Sequence, residues 1–262
     1  MNRPNIQSIA ILCFLGLFAV LYFGCETKNK DQIAVEKSRA NNIELISVDR
    51  LIREARPQMS TNGRSDLILL EGKLQKSSSD STKLDIYKSL ASLWYSEKQP
   101  IISGSYAEKI ALLENTEQAW SIAGTTFGIA SQRVSDEIEK KHAIIKSRNA
   151  FENVLSINSE NIDSKINLAL SYVDLPEENN PMKGILMLLE LNKKYPENIP
   201  VLLQLGRLGL GTNQLDKSVE RLSKVVSLDP SNKEAHCLLA EVYRKKGDSV
   251  KAQEEQKKCD LK

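Results

Sequence analysis

The chain has 262 residues, with 36 Lys plus Arg against 34 Asp plus Glu, a formal net charge of +2, and 5% aromatic residues. That length can bury a sizeable core, and scarce Pro and Gly with abundant Leu, Ile, Ala, Glu, Lys and Ser fit an all-helical chain. Both charge signs are interleaved along the sequence, which excludes the clustered positive face that a nucleic-acid surface requires.

Residues 1–25 contain an uncharged run from Ile6 to Phe23, preceded by Arg3 and followed by Gly24 and Cys25. Eighteen residues is within the ~17–25 that span a bilayer and exceeds a cleavable apolar core of ~7–15. The run is therefore expected to be an uncleaved transmembrane anchor. Its rival is a lipoprotein signal, cut after Gly24 and lipidated on Cys25. The small residue before the cysteine resembles that signal, while Tyr22 and Phe23 depart from it. Either reading tethers the chain to a membrane, and a short N-terminal tail favours export of the bulk, facing the periplasm of a bacterial envelope. Residues 26–43 are polar and charged, a tether of about 20–25 Å root-mean-square reach if flexible.

Residues 44–80 read as capping helices. Leu45, Val48, Leu51, Ile52 and Ala55 recur at helical spacing until Pro57, and Leu67, Leu70 and Leu74 do the same from about Ser65 to Lys76. From 81 to 262 about five helix pairs follow. The first sets Leu90, Ala91 and Trp94 before a Pro100–Gly104 turn and Ala107. Trp120, Ala123, Gly124 and Phe127 open the second, which carries about eleven extra residues before Ser147, Phe151 and Val154. The third has Leu168, Ala169 and Tyr172, then a turn three residues longer than the period (Asp174–Met182), then Gly184, Leu188 and Leu191. Leu202–Pro230 and Ala235–Cys259 complete the array.

The last two units superpose at an offset of 34 residues: Leu205, Gly206, Asn213, Ser218, Leu222 and Val225 fall on Leu239, Ala240, Gly247, Ala252, Gln256 and Cys259. A large–small pair, a turn and a second small residue at this period resemble the tetratricopeptide repeat, best defined over 162–262. The resemblance implies an all-α, right-handed superhelical solenoid of antiparallel helix pairs, with Gly206/Ser218 and Ala240/Ala252 where paired helices cross. Gly209 stands where Tyr172 and Tyr243 are the equivalents, which with Gly206 and Gly211 weakens that helix.

The resemblance further implies that the first helix of each pair lines a concave face that binds peptides or partner helices. Counted from the small residue, the groove positions are Ile166, Leu170 and Val173, then Leu203, Arg207 and Leu210, then Cys237, Glu241 and Arg244. Their apolar members would form a stripe for an amphipathic or hydrophobic segment of a protein partner. The alternatives are that the chain's own N-terminal helices cover the stripe, or that the register is off by one face. His236 is expected to be a packed, hydrogen-bonded core histidine, since His236, Cys237 and Cys259 lack zinc-ligand spacing. With Cys237 facing the groove, Cys259 facing the core and an axial offset near 6 Å by helix rise, the two cysteines are expected to stay unpaired.

No catalytic constellation or cofactor motif is present. The expected function is a membrane-tethered adaptor for protein–protein interaction; the alternative is a structural subunit of an envelope assembly complex.

Overall fold

The first helix of each pair starts where a short polar side chain can accept an otherwise unpaired helix amide. Asn161, Asn198 and Asn232 accept from the amides of Ser164, Val201 and Ala235 at 2.7–3.0 Å, and Ser79 and Thr116 do the same further upstream. The computed structural model describes residues 46–260, and these form twelve α-helices. The expected anchor, Cys25 and the 26–43 tether lie outside the described residues.

Helix α1 (Val48–Ala55) runs into a 3-10 turn at Arg56–Gln58 and is followed by α2 (Thr61–Lys76). Five hairpins follow: α3 (Asp80–Ser96) with α4 (Pro100–Glu114), α5 (Glu117–Arg133) with α6 (Glu137–Ile157), α7 (Ile162–Asp174) with α8 (Lys183–Lys194), α9 (Ile199–Gly211) with α10 (Leu215–Leu228), and α11 (Lys233–Lys246) with α12 (Ser249–Asp260). This is the all-α solenoid of helix pairs that the repeat implies. Among the described residues no helix is long and apolar enough to cross a membrane.

One contact recurs in three of the five hairpins. Ser103, Ser147 and Ser218 on the second helix donate to the carbonyls of Ala91, Gly124 and Gly206 on the first, at 2.7–2.8 Å. In the third hairpin a glycine takes the serine's place: a Cβ on Gly184 would lie 2.3 Å from the Ala169 carbonyl oxygen. A Cβ on Gly206 would likewise fall 2.6 Å from Leu222 Cδ2, so close approach, not helix propensity, dictates glycine there.

Hairpins with twelve residues between these contacts share one turn. Lys98, Asn213 and Gly247 adopt positive φ (60°, 58° and 78°), and the next amide bonds back to Trp94, Gly209 or Tyr243 at 2.8–3.0 Å. The hairpin with a 23-residue spacing absorbs its excess by lengthening both helices. The expected Pro100–Gly104 turn is instead the first helical turn of α4. Pro100 sits at a position where a missing amide costs nothing, and Gly104 lies against Phe127.

Apolar clusters run along the array. The N-terminal one joins Ile46, Met59, Leu67, Trp94 and Phe127, and the C-terminal one joins Leu203, Leu210, Leu222, Val225 and Leu239. Between successive hairpins, Arg148 of α6 donates to the Ser171 and Leu175 carbonyls at 2.8 and 2.7 Å. This cation satisfies acceptors at the C-terminal end of α7. Its guanidinium lies 3.9 Å from the Tyr172 ring centroid, and Lys183 Nζ lies 3.8 Å from it.

A disulfide joins Cys237 of α11 to Cys259 of α12, with Cα atoms 4.8 Å apart. This corrects the expectation of unpaired cysteines. Parallel cylinders would leave an offset of about 6 Å, but α11 and α12 close on the small Ala240/Ala252 pair, and the flanking cysteines are drawn together. Beside the disulfide, His236 is buried as expected, with Glu255 Oε2 2.5 Å from Nδ1 and the Pro230 carbonyl 3.0 Å from Nε2. Burial is the largest effect on Glu255 and raises its pKa, yet hydrogen bonds from His236 and Lys258 hold it below its ordinary value.

Candidate binding groove

Helices α5, α7 and α9 are the first members of successive hairpins, and between them opens a cleft of about 350 Å³. Its walls carry Ile129 and Gln132 from α5, Asn167, Leu170, Val173 and Asp174 from α7, and Gln204, Arg207 and Leu208 from α9. Ser147 and Phe151 of α6 form the floor. Gly124 and Gly128 line the α5 side, and the Phe151 ring fills the space a Cβ on Gly124 would need, at 2.9 Å. A second recess of about 620 Å³ lies between α3, α4 and α5, lined by Ala91, Tyr95, Ala107, Ile110 and Ile122 among others.

Of the residues expected to line the groove, Leu170, Val173 and Arg207 do line the cleft. Ile166, Leu203 and Leu210 are buried instead: Ile166 packs with Leu188 and Val201, and Leu203 and Leu210 pack with Leu222 and Leu239. Glu241 and Arg244 are exposed on α11 away from the cleft, and Arg244 Nη2 donates to Gln256 Oε1 of α12 at 3.2 Å. The expected continuous apolar stripe is therefore interrupted.

The displacement is a rotation. At about 100° per residue, positions three before and four after the small residue lie about 60° and 40° from it. Ile166 and Leu203, three before it, fall on a shoulder that packs inside the array, whereas of the positions four after it Val173 lines the cleft, Leu210 is buried and Arg244 is exposed. Positions two before and five after lie about 160° and 140° away, and Asn167, Asp174 and Gln204 occupy them in the cleft. The repeat register itself carries the signal that finds the missed residues. Ser89, Ile122, Asn167, Gln204 and Leu238 all stand two before a small residue, and along that row apolar Ile122 gives way to amides.

The cleft carries ionisable groups on two of its walls, Asp174 on α7 and Arg207 on α9. Arg207 Nη1 donates to Gln204 Oε1 at 3.2 Å, and its other nitrogen pairs with Glu234 of α11. The cleft thus presents the amides of Gln132, Asn167 and Gln204, apolar Ile129, Leu170, Val173 and Leu208, the Arg207 guanidinium, and the Asp174 carboxyl, whose pKa is raised by burial. Among the described residues, no cluster of three His, Cys, Asp or Glu is placed to hold a metal ion. Cys237 and Cys259 are spent on each other.

A tetratricopeptide-repeat family model matches residues 222–254. Among solved structures, the chain is similar to a tetratricopeptide repeat protein from Parabacteroides merdae ATCC 43184 (13% identity, covering 80% of this chain and 78% of that one, TM-score 0.54). It is also similar to MamA 41-end from Desulfovibrio magneticus RS-1 (18% identity, 70% and 95% coverage, TM-score 0.48). A third is YrrB, described as a TPR protein with an unusual peptide-binding site (18% identity, 72% and 90% coverage, TM-score 0.41). No curated protein matches the chain.

Proposed function

We propose that this chain, a tetratricopeptide solenoid by fold, is an adaptor that holds an extended segment of a protein partner in the cleft between α5, α7 and α9. The observation that carries the reading is the lining of that cleft. An extended peptide offers backbone donors and acceptors to Asn167 and Gln204 and apolar side chains to Leu170 and Leu208. Arg207 supplies a charge for an acidic group on the same segment. The burial of Ile166, Leu203 and Leu210 favours this occupant over the amphipathic helix that an unbroken apolar stripe would attract.

We further propose that residues 1–25 tether the chain to a membrane and that the solenoid works on the exported side, in a bacterial envelope. The uncharged Ile6–Phe23 run supports the tether. The Cys237–Cys259 bridge supports an oxidising compartment, because such bonds persist outside the reducing cytosol.

The test places a photo-crosslinking residue at Gln204 or Leu208 in the full chain, in its native membrane, with and without the pair Asn167→Ala and Arg207→Glu. Arg207 is half exposed and its ion pair lies at the surface, so the pair should leave the fold intact. Losing a charge-assisted hydrogen bond should cut capture of the partner about tenfold or more. Undiminished capture by the variant would move the binding site elsewhere.

A further inference from the structure

The fifth residue after each small crossing residue forms a row along the array: Ser96, Ile129, Asp174, Gly211 and Lys245. Ile129 and Asp174 of that row line the cleft between α5, α7 and α9. Gly211, next in the row, has no side chain, and a Cβ there would meet nothing, so the row is open on the α9 side of Asp174.

Asp174 is poorly placed for the fold. It ends α7, where the negative pole of the helix disfavours a carboxylate. The residue is exposed by surface area, yet burial of its carboxyl end raises its pKa, with the charge of Lys140 on α6 opposing. Among the described residues none donates a hydrogen bond to that carboxylate. The cations around the end of α7 are engaged elsewhere. Lys140 lies 3.9 Å from Glu137, Lys183 pairs with Glu177 at 3.1 Å, and Arg148 donates to the Ser171 and Leu175 carbonyls. Arg207, the opposite charge in the cleft, is held by Gln204 and Glu234. The cleft charge left to a ligand is thus first of all negative. Ile129, Leu170 and Val173 offer an apolar wall beside it, against which a methylene stem can lie.

We infer that the extended segment held in the cleft carries a lysine or arginine, with its stem along Ile129 and Val173 and its cationic head on the Asp174 carboxylate. The inference rests on the proposed binding of a segment in this cleft. It also sets a spacing. Asp174 stands five after its small residue and Arg207 one after its own, on successive first helices. That offset is about 6 Å of helix rise, and axes roughly 10 Å apart put the two charges about 12 Å from each other. At ~3.3 Å per residue, the basic residue of the segment and the acidic residue met by Arg207 are about three or four apart.

The experiment exposes the full chain in detergent micelles to an array of short random peptides, N-acetylated and C-amidated so that only side chains carry charge. Asp174→Asn, Asp174→Lys, Arg207→Gln and Thr125→Trp are run beside it; Thr125 is exposed on the α5 wall, and its replacement obstructs the cleft. The native chain should enrich peptides with Lys or Arg, and Asp or Glu about three or four residues away. Asp174→Asn should melt no lower than the native chain, lose the basic preference, and bind the native peptide set about tenfold more weakly, one charge-assisted hydrogen bond being gone. Arg207→Gln should lose the acidic preference alone, and Asp174→Lys should select acidic residues in place of basic ones. A basic preference that survives Asp174→Asn, a bound set without basic residues, or a lower melting temperature for Asp174→Asn would overturn the inference and leave the cleft reading standing. Peptides bound equally by Thr125→Trp, or no peptide bound at all, would remove the cleft reading and the inference with it.

Discussion

His142 gives the fold a calculable sensitivity to acid. It lies on α6, 3% exposed, edge-on to Phe127 with ring centroids 6.5 Å apart, and neither ring nitrogen has a hydrogen-bond partner among the described residues. Burial, and secondarily the positive Lys146 one turn along, hold its pKa down at about 4 against an ordinary 6.5. The folded ring is therefore neutral at pH 7, while the unfolded chain takes up a proton as pH falls through 6.5. A depressed folded pKa means that the stabilisation is complete above about pH 6.5 and is lost progressively down to about pH 4. Each pH unit in that window removes about 1.4 kcal/mol, so the loss is about 2 kcal/mol at pH 5 and about 3 kcal/mol below pH 4. Urea unfolding followed by helical circular dichroism between pH 7.5 and 4.5 isolates the effect when the native chain is compared with His142→Leu. Their difference in unfolding free energy should shift against the native chain by about 2 kcal/mol on going from pH 7.5 to 5. Parallel pH curves for the two proteins would refute the reasoning and require His142 to titrate normally in the folded state.

The other predictions concern packing and the covalent bond. Replacing both Cys237 and Cys259 by serine opens a loop with a sequence separation of 22. It should cost the last hairpin about 3 kcal/mol, seen as a lower melting temperature that reductant no longer changes; a native melting curve indifferent to reductant would contradict this. Gly184→Ala puts a methyl 2.3 Å from the Ala169 carbonyl oxygen and 2.8 Å from the Val173 amide nitrogen, backbone atoms that cannot swing aside. It should cost about 1–3 kcal/mol in urea unfolding. Gly72→Ala, which meets nothing, should be neutral or stabilising by up to about 1 kcal/mol; equal effects at the two glycines would contradict the close-approach account.

The hairpin contacts were legible in the sequence because each depends on residue size at one position. Ala91, Gly124, Ala169, Gly206 and Ala240 can be found by pattern, and three of their partners are the serines that bond to them. The second hairpin's excess was equally visible, but its location was not, since residues 134–146 contain no proline or glycine to mark a loop. Pro100 misleads because proline both ends helices and begins them. The groove was legible in part: Leu170, Val173 and Arg207 line the cleft, while the row three before the small residue does not. Ile166, Leu203 and Cys237 all stand three before a small residue, the first two are buried, and the third reaches across to Cys259. That one row accounts for the interruption of the stripe at Ile166 and Leu203 and for the disulfide at Cys237. Correct helix phases against neighbours depend on how hairpins stack, which a single hairpin's sequence does not encode.

Stacked arrays ordinarily unzip from their ends, where a unit has one neighbour instead of two. Here the C-terminal hairpin is a covalently closed ring, while Gly206 and Gly209 sit in α9, one hairpin further in. The bridge keeps α12 from fraying away from α11, while Gly206 and Gly209 lower the intrinsic helix propensity of α9. The helix with the two interior glycines is also the wall that bears Gln204, Arg207 and Leu208, so any softening of α9 is felt in the cleft.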